Sequence, residues 1–290
     1  MSKQDLTGDR IKAYEAQENG RRALPGLPLV IRIDGRSFSK FTHGMVRPFD
    51  GNFTDLMVDV TKYLVGQLNA VVGYTQSDEI TLVLDPATLA KSKDRLKKNG
   101  EILPDHIFDG RYQKIASVAA GLATARFVKD ALSFWPERCQ TQLPVFDARV
   151  FQVPDLDEAA WAVAWRELDA IKNAVSMAAR AQFPHKELHG KSTKQMIAMM
   201  AEEGVIFADY PVKFRRGTYV RKRTVFKELS AATLAKIPKR LRPEGPVART
   251  EIVAFNLPFF MDIGNYKDVI LNGAEPVENI FPLWSGTEHG

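Results

Sequence analysis

The sequence has little of what marks secreted, membrane or zinc-binding proteins. Its 290 residues include one cysteine, Cys139, which excludes an intrachain disulfide and a multi-cysteine zinc site. No segment approaches the roughly 18 consecutive apolar residues that a membrane span requires. The first residues also lack the apolar stretch of a secretory signal. We therefore expect a cytoplasmic protein with no membrane partner.

Two motifs for other chemistries are present only in part. His185 and His189 have the i, i+4 spacing of helical metal ligands, but no carboxylate completes a recognisable site and Pro184 favours a loop. Residues 189–193 (His-Gly-Lys-Ser-Thr) match only the end of a P-loop, because the upstream glycine of that motif is missing. Neither segment predicts a site.

Basic residues are in excess and clustered. The net charge is +5, and lysine and arginine concentrate at 91–98, 213–227 and 236–242. Such clusters can contact nucleic-acid phosphates, but many are only solvated faces of a protein. Charge alone therefore leaves both interpretations open.

The apolar periodicity predicts an α+β fold. Strands are expected at 27–34, 70–75, 79–84 and 144–153, and helices at 52–69, capped by Asn52, and at 112–134, where the small Gly121 permits close packing. This order is the ferredoxin-like βαββαβ plan of a polymerase or cyclase palm. We expect the palm catalytic core at 24–153.

A C-terminal extension packed on the palm is predicted for 154–290. Its long helix spans 155–183, and a shorter helix at 192–203 begins with Ser192 as its N-cap. Residues 213–226 are expected to form a basic β-hairpin that turns near Gly217, and 248–257 to form another strand.

Two aspartates stand at strand ends that are adjacent in a ferredoxin-like sheet. Asp34 ends the first strand and Asp78 lies in the turn between the next two. Paired carboxylates are the hard oxygen ligands with which phosphoryl-transfer enzymes hold Mg²⁺, and Gly35 would let the backbone approach a metal or phosphate. The alternative is that Asp34-Gly35 is only a turn and Asp78 only a hairpin cap.

The strings around both aspartates resemble those of the tRNA-histidine guanylyltransferase family. They are residues 31–41 (Ile-Arg-Ile-Asp-Gly-Arg-Ser-Phe-Ser-Lys-Phe) and 74–79 (Tyr-Thr-Gln-Ser-Asp-Glu), followed by 111–114, 115–127, 146–149 and 214–218. The resemblance implies an enzyme that adds nucleotides to the 5′ end of tRNA, in the 3′-to-5′ direction. It also implies ATP and GTP as substrates and a homotetramer.

The resemblance implies a role for each matching residue. Asp34, the Gly35 carbonyl and Asp78 would bind two Mg²⁺ ions, with Glu79 as a supporting third catalytic carboxylate. The nucleotide would contact Asp34, Gly35, Arg36, Ser37, Phe38, Ser39, Ser77 and Asp78, and its phosphates or those of RNA would face Arg47, Arg111 and Lys114. The basic hairpin would supply RNA contacts from Lys213, Arg215, Arg216, Arg221, Lys222 and Arg223. Each of these cations can equally be a solvated charge.

One departure bears on the substrate. Family members that act on histidine tRNA carry His-Ile-Asn-Asn-Leu-Tyr-Asn after a Trp-Arg-x-x-Asp lead. This chain has the lead at 165–169, but 170–177 is Ala-Ile-Lys-Asn-Ala-Val-Ser-Met, in which only Asn173 is retained. The departure favours templated repair of truncated tRNA 5′ ends. Two alternatives stay open: a palm-type nucleotide cyclase or signalling-nucleotide synthase, and a catalytically silent RNA-binding protein.

Overall fold

A six-stranded antiparallel sheet organises the protein, whose computed structural model describes residues 6–88 and 106–279. The strands are β1 (Leu29–Arg36), β2 (Val72–Gln76), β3 (Glu79–Leu84), β4 (Val145–Gln152), β5 (Thr218–Lys227) and β6 (Val247–Phe255). Their order in the sheet is β4-β1-β3-β2-β5-β6.

Helices lie between and beyond these strands. They are α1 (Leu6–Asn19), α2 (Phe38–Phe41), α3 (Gly51–Gln67), α4 (Tyr112–Ala131), α5 (Pro136–Gln142), α6 (Leu156–Gln182), α7 (His185–Leu188), α8 (Thr193–Glu202), α9 (Val212–Arg216) and α10 (Ala231–Ala235). Single helical turns occupy Ile107–Gly110, Phe207–Asp209, Lys239–Leu241, Phe260–Asp262 and Asp268–Asn272. Within the described residues, none of the helices has the length and apolar character needed to cross a membrane.

The ferredoxin-like prediction is confirmed. The first four strands have the order β4-β1-β3-β2, and the crossover helices α3 and α4 follow β1 and β3 as the βαββαβ plan requires. Because β5 pairs with β2, the C-terminal strands continue the palm sheet. A division of the chain at residue 153 stays a prediction.

Both faces of the sheet are buried. On one face Ile31, Ile33 and Leu82 pack with apolar residues of α3 and α4. Val30 and Val83, which alternate with these residues along β1 and β3, lie on the other face and pack against α6 and the segment 260–270. Because successive strand residues point to opposite faces, this alternation places Arg32 and Asp34 on the α6 face.

Three local predictions are wrong. The N-cap of α3 is Asp50, whose Oδ1 accepts a hydrogen bond from the Phe53 amide at 3.0 Å, so the helix begins before Asn52. Gly121 is exposed, and a Cβ there would meet open space, so close packing does not require this glycine. Strand β1 does not end at Asp34 but continues to Arg36, because Gly35 and Arg36 still pair with β4.

The basic hairpin predicted within 213–226 is also wrong. Residues Val212–Arg216 form the short helix α9, and β5 is a single strand that pairs with β6. Gly217 makes no hairpin turn: its Cα is so close to β2 that a Cβ would lie 2.5 Å from the Thr75 carbonyl oxygen. The glycine is needed for this close approach, which sequence alone did not distinguish from a turn.

Candidate active site

Asp34 lies in the middle of a row of acidic residues that crosses three strands. In the β-sheet register it is opposite Glu79 of β3 and Asp147 of β4. Directly opposed residues of antiparallel strands project from the same face, with Cβ atoms about 5 Å apart. The three carboxylates therefore share the α6 face of the sheet.

The turn between β2 and β3 brings Asp78 to the same place. Ser77 has φ 47°, and its hydroxyl donates to Asp78 Oδ1 at 3.0 Å. A Cβ on Gly35 would lie 2.8 Å from Asp78 Oδ2 and would also collide with the Phe38 ring. The Asp78 carboxylate thus packs against Gly35, next to Asp34, and this approach is open only to glycine.

Both aspartates carry a net electrostatic cost in the folded protein. Burial raises the pKa of Asp78 to about 6, against hydrogen bonds from its own amide and Ser77, and the charges of Asp34 and Glu79 add to the rise. Burial and then the Asp147 charge raise the pKa of Asp34, against the lowering effect of the Arg149, Arg32 and Arg166 charges. Bound cations would remove this cost, because an opposite charge favours the ionised carboxylates.

The donor set fits a hard cation whose remaining ligands come from the substrate. Across residues 6–88 and 106–279, no three His, Cys, Asp or Glu side chains are grouped as a ready metal cage. Carboxylate and backbone oxygens at Asp34, Gly35 and Asp78 would leave positions for phosphate oxygens, as Mg²⁺ sites for nucleoside triphosphates do.

Glu79 is held by arginines instead. Its Oε2 accepts from Arg166 of α6, and Arg32 lies 3.7 Å from the same oxygen. Arg166 also donates to Asp169 Oδ2 at 2.9 Å. The supporting role expected for Glu79 stays a prediction. Sequence analysis missed Arg166, although the Trp165-Arg166 lead was the available signal.

A cleft of about 360 Å³ opens beside Ser77. It brings together Ser39, Arg47, Ser77 and Lys213, which the sequence had placed in nucleotide and RNA roles. One wall comes from α6 through Ala174, Met177 and Arg180. The segment 170–177 that departs from the family motif therefore lines this cleft in part.

The loop after β1 provides the neighbouring contacts. Arg36 and Ser37 are exposed there, and Ser37 has φ 58°. Phe38 is buried in a cluster of rings that includes Phe127 and Phe146, so its side chain anchors the loop to the hydrophobic core. A contact between Phe38 and a nucleotide through the backbone stays a prediction.

Arg111 and Lys114 lie elsewhere. They flank the start of α4, where the Tyr112 hydroxyl donates to Gln152 at 3.2 Å. Gln152 is opposite Leu29, five residues from Asp34 along β1, or about 17 Å at the rise of a strand. The structure does not bring these two cations to the aspartate pair within one chain.

Most of the six cations expected to contact RNA are used inside the protein. Arg215 donates to the Tyr210 carbonyl, Arg216 to Glu167 and the Leu257 carbonyl, Arg221 to the Val269 carbonyl, Lys222 to Asn69, and Lys213 to Asp55. Arg223 is exposed. The sequence did not reveal this, because the partners come from distant segments.

The remaining candidates gain nothing from the structure. The His185 and His189 rings are 6.2 Å apart on an exposed turn, with no third ligand among the described residues. Cys139 is buried. The basic cluster at 91–98 lies outside the described residues.

Known proteins with similar sequences include tRNA(His) guanylyltransferases. The family model for "tRNAHis guanylyltransferase" matches residues 8–154, about half of the chain. An uncharacterized protein, R259, of Acanthamoeba polyphaga mimivirus is 28% identical over 75% of this chain and 77% of its own length. The tRNA(His) guanylyltransferase of Saccharomyces cerevisiae is 24% identical over 69% of this chain and 84% of its own length.

Solved structures give the same assignment. A bacterial tRNA(His) guanylyltransferase (Thg1)-like protein in complex with ATP is 34% identical, with a TM-score of 0.65 over 74% of this chain and 88% of that one. A bacterial tRNA(His) guanylyltransferase (Thg1)-like protein in complex with GTP is 29% identical, with a TM-score of 0.64 over 88% of this chain and 94% of that one. The chain therefore belongs to the tRNA(His) guanylyltransferase family and is a nucleotidyltransferase.

Proposed function

We propose that this enzyme adds nucleotides to the 5′ end of tRNA in the 3′-to-5′ direction, using ATP and GTP. The observation that carries the proposal is the packing of Asp78 against Gly35, next to Asp34, at the edge of the cleft lined by Ser77. The ATP and GTP complexes of similar bacterial proteins support nucleotide binding at such a site.

Two Mg²⁺ ions are the cofactors that this donor set fits. Asp34, Asp78 and the Gly35 carbonyl would hold them. When bound, the ions lower the pKa of the attacking hydroxyl and offset the charge that develops on the leaving phosphate. The protein contributes the fixed carboxylates and a glycine small enough for them to converge.

The reaction has two phosphoryl-transfer steps. An oxygen of the RNA 5′-monophosphate attacks the α-phosphorus of ATP, forming a phosphoanhydride and releasing pyrophosphate. The 3′-hydroxyl of the incoming nucleotide then attacks the activated 5′-phosphorus, loses its proton and displaces AMP. An RNA with a 5′-triphosphate needs no activation, since pyrophosphate is already the leaving group. Neither step requires a protein nucleophile.

The cleft supplies the positive charge that such a crowded site needs. Arg47 and Arg180 line it, Lys213 lines it while paired with Asp55, and Ser39 and Ser77 add hydroxyl groups. Several cations besides the metals help to offset a triphosphate beside a 5′-phosphate. Phe49 and Phe214 stack at 5.1 Å in the same wall and keep part of the cleft apolar. These residues would hold the triphosphate and base.

We further propose that the enzyme repairs truncated tRNAs by templated addition. The cleft wall carries Ala174 and Met177 in place of residues that the family uses on histidine tRNA. The enzyme would act as a homotetramer, as the family resemblance implies, and in the cytoplasm, as the sequence analysis led us to expect.

The test uses 5′-monophosphorylated tRNA lacking its first nucleotide, with Mg²⁺, ATP and GTP. We expect restoration of the base that pairs with the opposite strand. Preference for adding an unpaired G to intact histidine tRNA, with negligible repair, would contradict templated repair. A cyclic or signalling nucleotide as the only product would favour the cyclase alternative, and RNA binding without any product would favour the silent RNA-binding protein.

A further inference from the structure

Arg166 is a buried cation that contacts Glu79, the residue after Asp78. Its side chain is 4% exposed, and one terminal nitrogen, Nη2, bonds both Glu79 and Asp169. The guanidinium carbon lies 4.7 Å from the centre of the Trp165 ring. Three different contacts therefore fix the position of this guanidinium.

Its partner Glu79 occupies a sensitive position. It follows Asp78 in the chain and is opposite Asp34 across β1 and β3. A free carboxylate there would be a third oxygen ligand beside the two aspartates. Sites for divalent cations bind more tightly and in a different geometry when the number of charged ligands rises.

We propose that Arg166 is a positioning residue that keeps Glu79 away from the metals. By holding the Glu79 carboxylate, it restricts cation binding to Asp34, Asp78 and the backbone between them. The site then keeps open positions for phosphate oxygens. This inference rests on the proposed metal site, and Arg166 itself touches neither metal nor substrate.

Arg32 makes a weaker contact with the same oxygen. It lies 3.7 Å from Glu79 Oε2 and its side chain is 26% exposed, whereas Arg166 approaches closely and is buried. Charge interactions weaken with distance and solvent exposure. Arg166 is therefore the main restraint on Glu79, and loss of Arg32 should release Glu79 less.

The experiment measures Mn²⁺ binding to the nucleotide-free full chain by calorimetry. We expect Arg166→Met to bind Mn²⁺ about tenfold more tightly than wild type, because Glu79 becomes available as a ligand. The double variant Arg166→Met/Glu79→Gln should return to wild-type affinity. Arg126→Met is the matched control, because it removes an arginine whose partner is Asp130 within α4, and its Mn²⁺ affinity should be unchanged.

Equal Mn²⁺ affinity of wild type and Arg166→Met would overturn the proposal, as would a tighter site that persists in the double variant. If Arg166→Met fails to fold, Arg166→Lys replaces it. Lysine keeps the charge but carries it on a flexible, strongly hydrated ammonium in place of the fixed guanidinium, so we expect tighter Mn²⁺ binding that Glu79→Gln cancels. Unchanged affinity in that variant would equally overturn the proposal.

Substituting the two aspartates in the otherwise wild-type protein separates the hypothesis of the metal site from that of the role of Arg166. If Asp34→Asn and Asp78→Asn leave Mn²⁺ binding intact, the proposed metal site itself is wrong. If they abolish binding while Arg166→Met behaves like wild type, only the role of Arg166 is wrong.

Discussion

Two carboxylates, the buried Glu167 and the partly buried Asp78, have raised pKa values but different surroundings. Burial is the main cause in both: the pKa of Glu167 rises to about 7 and that of Asp78 to about 6. Glu167 is surrounded by donors, accepting from the Tyr219 hydroxyl at 2.6 Å and Arg216 at 3.3 Å. Among the described residues, Asp78 accepts only from the Ser77 hydroxyl and its own amide.

The difference teaches that a raised pKa alone does not identify a functional site. Structural networks also perturb pKa values. The partners of Glu167 belong to the protein itself, and one of them, Tyr219, also contacts the Tyr266 hydroxyl at 3.1 Å. Within the described residues the aspartate pair has no comparable set of hydrogen-bond donors, and it lies by an open cleft. We therefore propose a structural role for Glu167 and a catalytic role for Asp34 and Asp78.

The largest expected effect is on catalysis. Asp34→Asn and Asp78→Asn each keep the size of the side chain but remove the charge that would anchor a cation. We expect nucleotide transfer to fall by about 10³-fold or more, with the fold intact by circular dichroism. Glu79→Gln should fall less. Near-wild-type transfer by folded Asp34→Asn and Asp78→Asn would show that the chemistry lies elsewhere.

Glu167→Ala should act in the opposite way to the aspartate variants: its main effect should be a loss of stability. It leaves Arg216 buried without its carboxylate, and breaking a buried pair costs about 3–5 kcal/mol of unfolding free energy. Tyr219→Phe removes one hydrogen bond and should cost about 1–2 kcal/mol. Chemical denaturation measures both. A loss of activity with unchanged stability in Glu167→Ala would move Glu167 into the catalytic site.

The pH dependence of stability should distinguish Asp78 from its asparagine variant. The folded-state pKa of Asp78, about 6, exceeds its ordinary value of 3.8, so folding favours the protonated acid. That contribution is fully present below about pH 4 and is lost as pH rises through about 6, at up to roughly 1.4 kcal/mol per pKa unit.

Asp78→Asn should therefore match wild type near pH 4 and exceed its stability at pH 8. The measurement is the unfolding midpoint of each protein in EDTA, which removes divalent cations. An asparagine variant that is less stable than wild type at pH 8 would contradict the assigned cause of the pKa shift.

The smallest effect concerns RNA affinity. Arg223 is exposed on β5, whereas Arg221 donates to the Val269 carbonyl at 2.6 Å and stacks on Phe255. If Arg223 contacts one phosphate, Arg223→Ala should reduce the slope of log affinity against log salt by about 0.7–0.9. Arg221→Ala should instead lower stability. An unchanged slope in Arg223→Ala would make this strand only a solvated face.

Local patterns in the sequence predicted the palm and its aspartates. The apolar pattern of β1 locates Asp34, and the Gln-Ser-Asp-Glu turn locates Asp78. Each signal lies within a short segment, and the topology that joins the two segments is a common one. The separation of Arg111 from Asp34 depends on which end of β4 meets α4. The bond between Arg166 and Glu79 joins residues 87 positions apart. Neither is encoded in local spacing.

Gly217 shows the same limit within one segment. A glycine between basic and β-branched residues predicts a turn, yet here it admits the Thr75 carbonyl and the Tyr74 ring. The choice depends on β2 packing against β5, which no window around residue 217 contains.

The most direct test of the central claim is transfer of label from [α-³²P]ATP to the 5′ end of 5′-monophosphorylated, truncated tRNA with Mg²⁺ and no GTP. We predict that wild type forms adenylylated RNA, that Asp78→Asn does not, and that 5′-hydroxyl RNA stays unlabelled. Equal labelling by wild type and Asp78→Asn, or no labelled RNA with folded wild type, would contradict the account.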